Sequence, residues 1–255
     1  MESAVKEPPR SAFYKFMRDY VRPWTDRVMT AQSLVGSPPV FEDGVFPWTA
    51  WVERNWRDIR AEVEVLLQDR ARIPTFHGVS PDQYRISTGV QWRSFFLWGM
   101  GYKAPANCAR CPKTAKVLDN IPGLTTAFFS ILAPGTHIPR HAGVTRRLLN
   151  CHLALIVPER PLEGTEGCRM EVDDQTVRWR EGSCVVFDDT YQHEVWNDTA
   201  ETRVVLLMQF KRPLRLPARL LGDFFLSLIR LSPYVRDARR NIENWERAYQ
   251  RIETE

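Results

Sequence analysis

A mainly β fold, an antiparallel sandwich or jelly-roll barrel flanked by N- and C-terminal helices, is what this 255-residue chain predicts. Three observations point there. From Gly89 to Pro213 the sequence breaks into short runs rich in Val, Ile, Leu and Phe, separated by turn residues. On either side of that stretch the apolar residues recur at helical spacing instead. A hydrophobic content of 44% with 11% aromatics is enough for a real core, and the length suits one large domain with extensions. The expected division is a helical extension over 1–40, the barrel with its packing helices over 41–213, and a second helical extension over 214–255.

In chain order, Ala12–Trp24 has apolar residues at 13, 16, 17, 20 and 21, the spacing of a helix that Pro23 ends. Residues 31–46 are loop-like, with Gly36, Pro38, Pro39 and Gly44. Pro47 suits a first helical position, and Trp48, Trp51, Val52, Trp56, Ile59, Val63 and Leu66 form one stripe down to about Gln68, the mark of a helix packed on a sheet. The expected strands are Val90–Trp98, Ala127–Leu132, Leu148–Val157, Cys168–Val172, Gln175–Trp179, Ser183–Phe187, His193–Trp196 and Arg203–Phe210. Turns fall at Pro134-Gly135, Gly164–Gly167, Asp173-Asp174, Glu181-Gly182 and Asn197-Asp198, and a short helix fits 112–119.

Beyond Pro213, Arg219–Leu231 places Leu220, Leu221, Phe224, Phe225, Leu228 and Ile229 on one helical face. That segment is too short to span a bilayer. It can dock on the barrel, bind a partner subunit, or lie on a membrane surface with Arg215, Arg219 and Arg230 near anionic lipid. The tail from Arg236 is a charge-rich exposed helix.

Charge narrows the partners. With 35 Lys+Arg against 31 Asp+Glu the surface is mixed rather than a basic stripe, so no nucleic-acid partner is expected. The first 30 residues carry Lys6, Arg10, Lys15, Arg18, Arg22 and Arg27 without a long apolar core, the pattern of neither a secretory signal nor a spanning helix. Five cysteines, an odd number, fit a reducing setting. The expectation is a cytoplasmic protein, peripheral to the inner face of the membrane if 219–231 lies on it.

The chemistry gathers around residues 130–143, SILAPGTHIPRHAG. His141 stands at a turn-to-strand junction, and His193 stands at another about 50 residues on, a spacing by which β-barrels hold non-haem iron. The carboxylate that most such sites carry two residues after the first histidine is missing, because that position is Gly143. Taken singly, each histidine reads as structural. His77 lies in a surface turn, and His137 is a supporting group or a substrate contact. Alternation puts Asn150, His152 and Ala154 on one face of their strand, which suggests a polar pocket. Arg203 opens an apolar strand ten residues after His193; its stem points inward, and a guanidinium there can hold a carboxylate bidentately. The alternative for Arg203 is a surface ion pair. Trp92, Trp98 and Trp196 are candidates for the pocket wall or for ordinary core.

The blocks SILAPGTHIPRHAG, CHLALIVP, WREGSCVVFDDTYQHEVWN and ETRVVLLMQFKRP, with FPWTAWVERNWRDIRAE, FFLWGMG and NCARCPKTAKVLDNIPG upstream, resemble the aspartyl/asparaginyl β-hydroxylase family of iron(II)/2-oxoglutarate-dependent dioxygenases, which also holds the bacterial lipid A acyl-chain hydroxylases. The resemblance covers about 40–213. It implies a double-stranded β-helix of cupin type, an enzyme, and Fe(II), 2-oxoglutarate and O2 as cofactor and co-substrates. By position it makes His141 and His193 the metal ligands, gives Ser130 and Arg203 the distal carboxylate of 2-oxoglutarate, and puts His152 near its metal-binding end. The protein-residue hydroxylases of the family have glycine where Gly143 stands, whereas the lipid A branch keeps the aspartate. The implied substrate is therefore the β-carbon of an Asp or Asn residue or a related small molecule or peptide, with a lipid acyl chain, a halogenation reaction and a non-catalytic binding module as alternatives. Where the family commonly has an arginine that helps bind a carboxylate of the co-substrate or substrate, this chain has Asn150, which is expected to hydrogen-bond to the co-substrate without the charge; Arg146 or Arg147 is expected to compensate from the preceding loop. Cys108 matches one partner of the vertebrate disulfide, but the other position is Ala115, and Cys108 and Cys111 read as incidental thiols.

Overall fold

Apolar alternation in the runs after Gly89 builds two antiparallel sheets. The computed structural model describes residues 21–80, 86–87, 89–231 and 233–253, so most of the helix expected over Ala12–Trp24 lies outside the described residues. The strands are β1 (Trp92–Gly99), β2 (Tyr102–Lys103), β3 (Leu124–Leu132), β4 (Thr136–His141), β5 (Leu148–Ile156), β6 (Cys168–Val172), β7 (Gln175–Val177), β8 (Cys184–Phe187), β9 (His193–Asn197) and β10 (Arg203–Lys211). One sheet runs β2-β1-β3-β10-β5-β8 and the other β4-β9-β6-β7. This is the jelly-roll arrangement of the sequence reading, as two separate sheets rather than a closed barrel.

The six-stranded sheet is buried on both faces. Its outer face, with Phe95, Phe129, Ile131, Leu153, Val204 and Leu206, packs under helices α2 (Thr49–Arg54), α3 (Trp56–Leu67) and α6 (Pro112–Leu118). Its inner face meets the four-stranded sheet around Trp92, Leu132, Ile138, Ala154, Met170 and Val195. Side chains that alternate along β5 and β10 therefore divide between a helix-covered core and the space between the sheets.

Three local expectations change. Pro23 sits in the first turn of a helix, α1 (Arg22–Ala31), where its missing N–H has no intrahelical acceptor to lose, and the helix it is expected to end lies outside the described residues. The single helix expected over 47–68 is two, because Asn55, between α2 and α3, turns its side-chain amide onto the Trp51 carbonyl at 2.7 Å. His77 lies half-buried in the short helix α4 (Phe76–Val79), bonded to Thr75 and Ser87, and α5 (Pro105–Arg110) was not expected. At the other end, α7 (Leu216–Arg230) and α8 (Pro233–Glu253) follow β10. Met29 of α1 packs with Leu214 and with Ala218 of α7, so the two segments set apart as extensions meet each other. Among the described residues no helix is long and apolar enough to cross a membrane.

Candidate active site

β4 delivers His141 at its last position and β9 delivers His193 at its first, and the antiparallel register pairs the two directly. Their ring centroids are 4.0 Å apart. Each ring is oriented from behind in the same way: Nδ1 of His141 donates to the Pro139 carbonyl at 2.8 Å, and Nδ1 of His193 donates to the Tyr191 carbonyl at 3.0 Å. A carbonyl only accepts, so each Nδ1 carries the proton and each Nε2 keeps its lone pair, the tautomer a metal ligand needs. Burial lowers the pKa of both rings, and in His193 a further push from His141 brings it to about 4. Both imidazoles are thus neutral donors at ordinary pH. Among the described residues no set of three or more His, Cys, Asp or Glu side chains has metal-ligating spacing, so the pair stands without a third protein ligand.

Gly143 is not an empty space. Its N–H donates to the Asp189 carbonyl at 2.6 Å, and its own carbonyl accepts from Arg22 at 2.6 Å. A Cβ at this position would lie 2.3–2.6 Å from the carboxylate atoms of Asp189, which occupies the room a side chain would use. Asp189 is buried, accepts from the Asn150 amide at 3.2 Å, and has its pKa raised to about 7 by burial and by the neighbouring charge of Asp188.

The six-stranded sheet supplies the opposite wall. Asn150, His152 and Ala154 share the inward face of β5, as alternation predicts. His152 packs edge-on to Phe187, and neither of its ring nitrogens has a hydrogen-bond partner. Its pKa falls well below 6.5 through burial, with Arg203 and His193 adding to the fall. On β3 and β10 the register sets Arg203 opposite Leu132 and Val205 opposite Ser130, so Arg203 and Ser130 face the same inner space. Ser130 accepts from the Trp92 indole at 3.1 Å. Arg203 is only 1% exposed and lies 4.0 Å over the Trp179 ring, yet its Nε and Nη2 have no acceptor. Burial lowers its pKa to about 10. A buried guanidinium with open donors is costly unless an anion completes it. These residues fit a metal held by two imidazoles and a carboxylate held by Arg203.

Several expectations are redirected. His137 projects from the outer face, paired with Glu194 at 2.7 Å and stacked on Trp196. Trp196 is therefore no pocket wall, and Trp98 belongs to the core under the helices. Trp179, which the sequence reading passed over, stands beside Arg203 instead. Arg147 does not compensate for Asn150, because α7 claims it through Asp223 at 3.0 and 3.2 Å. Arg146 reaches Asp188 at 3.4 Å and lies over the Tyr191 ring. Asp188 is itself held by Arg212 at 2.5 Å, both side chains fully buried. All five cysteines are free and buried, and burial pushes the Cys108 thiol up to about 12, which leaves it inert.

A sequence model described as aspartyl/asparaginyl beta-hydroxylase matches residues 53–213. The ornithine lipid ester-linked acyl 2-hydroxylase of Rhizobium tropici is 39% identical over 94% of this chain and 83% of its own length. The human aspartyl/asparaginyl beta-hydroxylase is 32% identical over 64% of this chain, a region that makes up 21% of that protein. A solved prolyl-4-hydroxylase from Pseudomonas putida overlays 62% of this chain and 87% of its own with 21% identity and a TM-score of 0.37.

Proposed function

Because the chain belongs to the aspartyl/asparaginyl β-hydroxylase family, we propose that it is an iron(II)/2-oxoglutarate-dependent hydroxylase acting on the acyl chain of a lipid. The observation that carries the chemistry is the pairing of two neutral, oriented imidazoles with a buried guanidinium that has no anion of its own. In this reading His141 and His193 hold the metal through Nε2. Arg203, helped by the Ser130 hydroxyl, takes the distal carboxylate of 2-oxoglutarate, and His152 lies toward its other end. Asn150 acts at one remove, fixing Asp189 against Gly143. Bound iron with 2-oxoglutarate and O2 supplies the power to insert one oxygen atom into an unactivated C–H bond. The apolar lining around Leu132, Ala154, Met170 and Phe187 keeps water from that bond.

The lipid displaces the Asp/Asn substrate favoured by the sequence reading, and two points support the change. The relative that matches nearly the whole chain is named for a lipid, whereas the Asp/Asn hydroxylase matches only part of it. Also, Gly143 has a ground that does not depend on substrate, since a Cβ there would meet the Asp189 carboxylate. An Asp side chain would need a further cation, and Arg146, Arg147 and Arg212 are each engaged by Asp188 or Asp223.

The test is anaerobic reconstitution with iron(II), then exposure to O2 and 2-oxoglutarate with ornithine lipid or with Asp-containing peptides. A gain of one oxygen on the lipid is expected. A gain on peptide alone overturns the lipid reading, and failure to bind iron overturns the enzyme site.

A further inference from the structure

Helix α7 buries only a narrow strip of residues and leaves a second apolar stripe in the open. Ala218, Gly222 and Leu226 face the protein. Leu216, Leu220, Phe224 and Leu228, one turn apart, are 45–61% exposed, and Leu231 after the helix is 73% exposed. A stripe of that size is unusual on a surface that meets only water. Trp24 on the adjoining α1 is also 54% exposed.

The free charges that the helix and its N-terminal cap present have one sign. Arg219 and Arg230 are exposed on α7, Arg215 at its N-terminal cap, and Arg27 on α1. The one acid within Leu216–Arg230, Asp223, is bound by Arg147 and Lys211. A second copy of the chain seated on this face would set arginine against arginine with no free acid from the helix to receive it. Anionic lipid headgroups complement it, with the apolar side chains entering the acyl boundary. At about 1.5 Å per residue the 15-residue helix is far shorter than the roughly 30 Å of a hydrocarbon core, so it lies on a bilayer and does not cross it.

The same helix is fixed to the active site. The Arg147 guanidinium, in the loop between His141 and β5, packs so closely on Gly222 that a Cβ there would lie 2.4 Å from its Cδ. Arg22 and Asp26 of α1 bond that loop at Gly143 and Arg146. We propose that α7, with α1 beside it, is a membrane-docking face that seats the site against an anionic bilayer. The last step rests on the lipid-substrate reading; the docking itself does not.

The experiment is co-sedimentation of the full chain with vesicles of mixed phosphatidylglycerol and phosphatidylcholine, against pure phosphatidylcholine. Wild type is expected to pellet with the anionic vesicles, and a Leu220→Glu/Phe224→Glu variant to lose at least tenfold in partitioning with an unchanged melting temperature, since both sites are exposed. Arg215→Ala and Arg219→Ala should each weaken binding by about fivefold. Hydroxylation of lipid in detergent micelles should survive the double variant while turnover on vesicles falls. Wild type that ignores vesicles yet hydroxylates lipid in micelles overturns docking and leaves the function standing. Binding to vesicles with no oxygen gained by lipid in any dispersion supports docking and sinks the lipid reading. A dimer that Phe224→Glu dissolves, without vesicle binding, assigns the face to self-association and overturns docking.

Discussion

Replacing Arg203 with methionine removes a buried charge and keeps most of the stem. Burial moves the guanidinium from its ordinary 12.5 to about 10, and at about 1.4 kcal/mol per unit the folded state carries a penalty of about 3 kcal/mol. The Trp179 ring 4.0 Å away returns about 1–2 kcal/mol of that. Below pH 10 the group is charged, so the net penalty is the same from pH 6 to 8. Arg203→Met should therefore stabilise the ligand-free protein by about 1–2 kcal/mol, a rise of a few degrees in melting temperature. The effect should reverse with co-substrate. In anaerobic melts with metal present, 2-oxoglutarate at 100 times its Kd should stabilise wild type by about 2.7 kcal/mol and the variant hardly at all. A variant less stable than wild type without ligand, or one that gains as much from 2-oxoglutarate, would refute the reading of Arg203 as a site held open for an anion.

Three further outcomes follow from the same geometry. His193→Ala should abolish metal binding, read as iron content after anaerobic reconstitution, while leaving secondary structure by circular dichroism intact. Gly143→Ala forces a Cβ onto the Asp189 carboxylate and should destabilise by about 1–3 kcal/mol, a loss that Asp189→Gly in the same chain should largely relieve; additive effects in the double-mutant cycle would show that the two positions do not touch. Asp188→Ala leaves Arg212 buried without its anion and should cost about 3–5 kcal/mol in urea unfolding, with partial recovery on adding Arg212→Met.

Much of this site was legible in the sequence because alternation is a strong signal in strands covered on both faces. Asn150, His152 and Ala154 fall on the inner face as their spacing requires, and Arg203 lies inward because it opens an apolar strand. Strand β4 escaped notice although it carries His141: Pro134-Gly135 and Pro139 mark it as a turn region, and only Thr136 and Ile138 inside it are buried. Nothing in the local sequence marks Asp188 and Asp189 as buried. Their burial depends on Arg212 and Asn150, which lie 24 and 39 residues away, and local composition carries no trace of such partners. The choice of Trp179 over Trp196 likewise turns on which sheet face each strand presents, and a one-residue shift of register reverses that face.

The imidazole pair belongs to the four-stranded sheet and the open guanidinium to the six-stranded one. Neither sheet contains a working centre by itself, and only their face-to-face closure brings the halves within reach. A species with native-like strands but loosened packing between the sheets would keep the histidine pair and lose its alignment with Arg203. On the proposed function such a species would hold metal and turn over nothing, and the ratio of turnover to bound metal would gauge how firmly the sheets are shut.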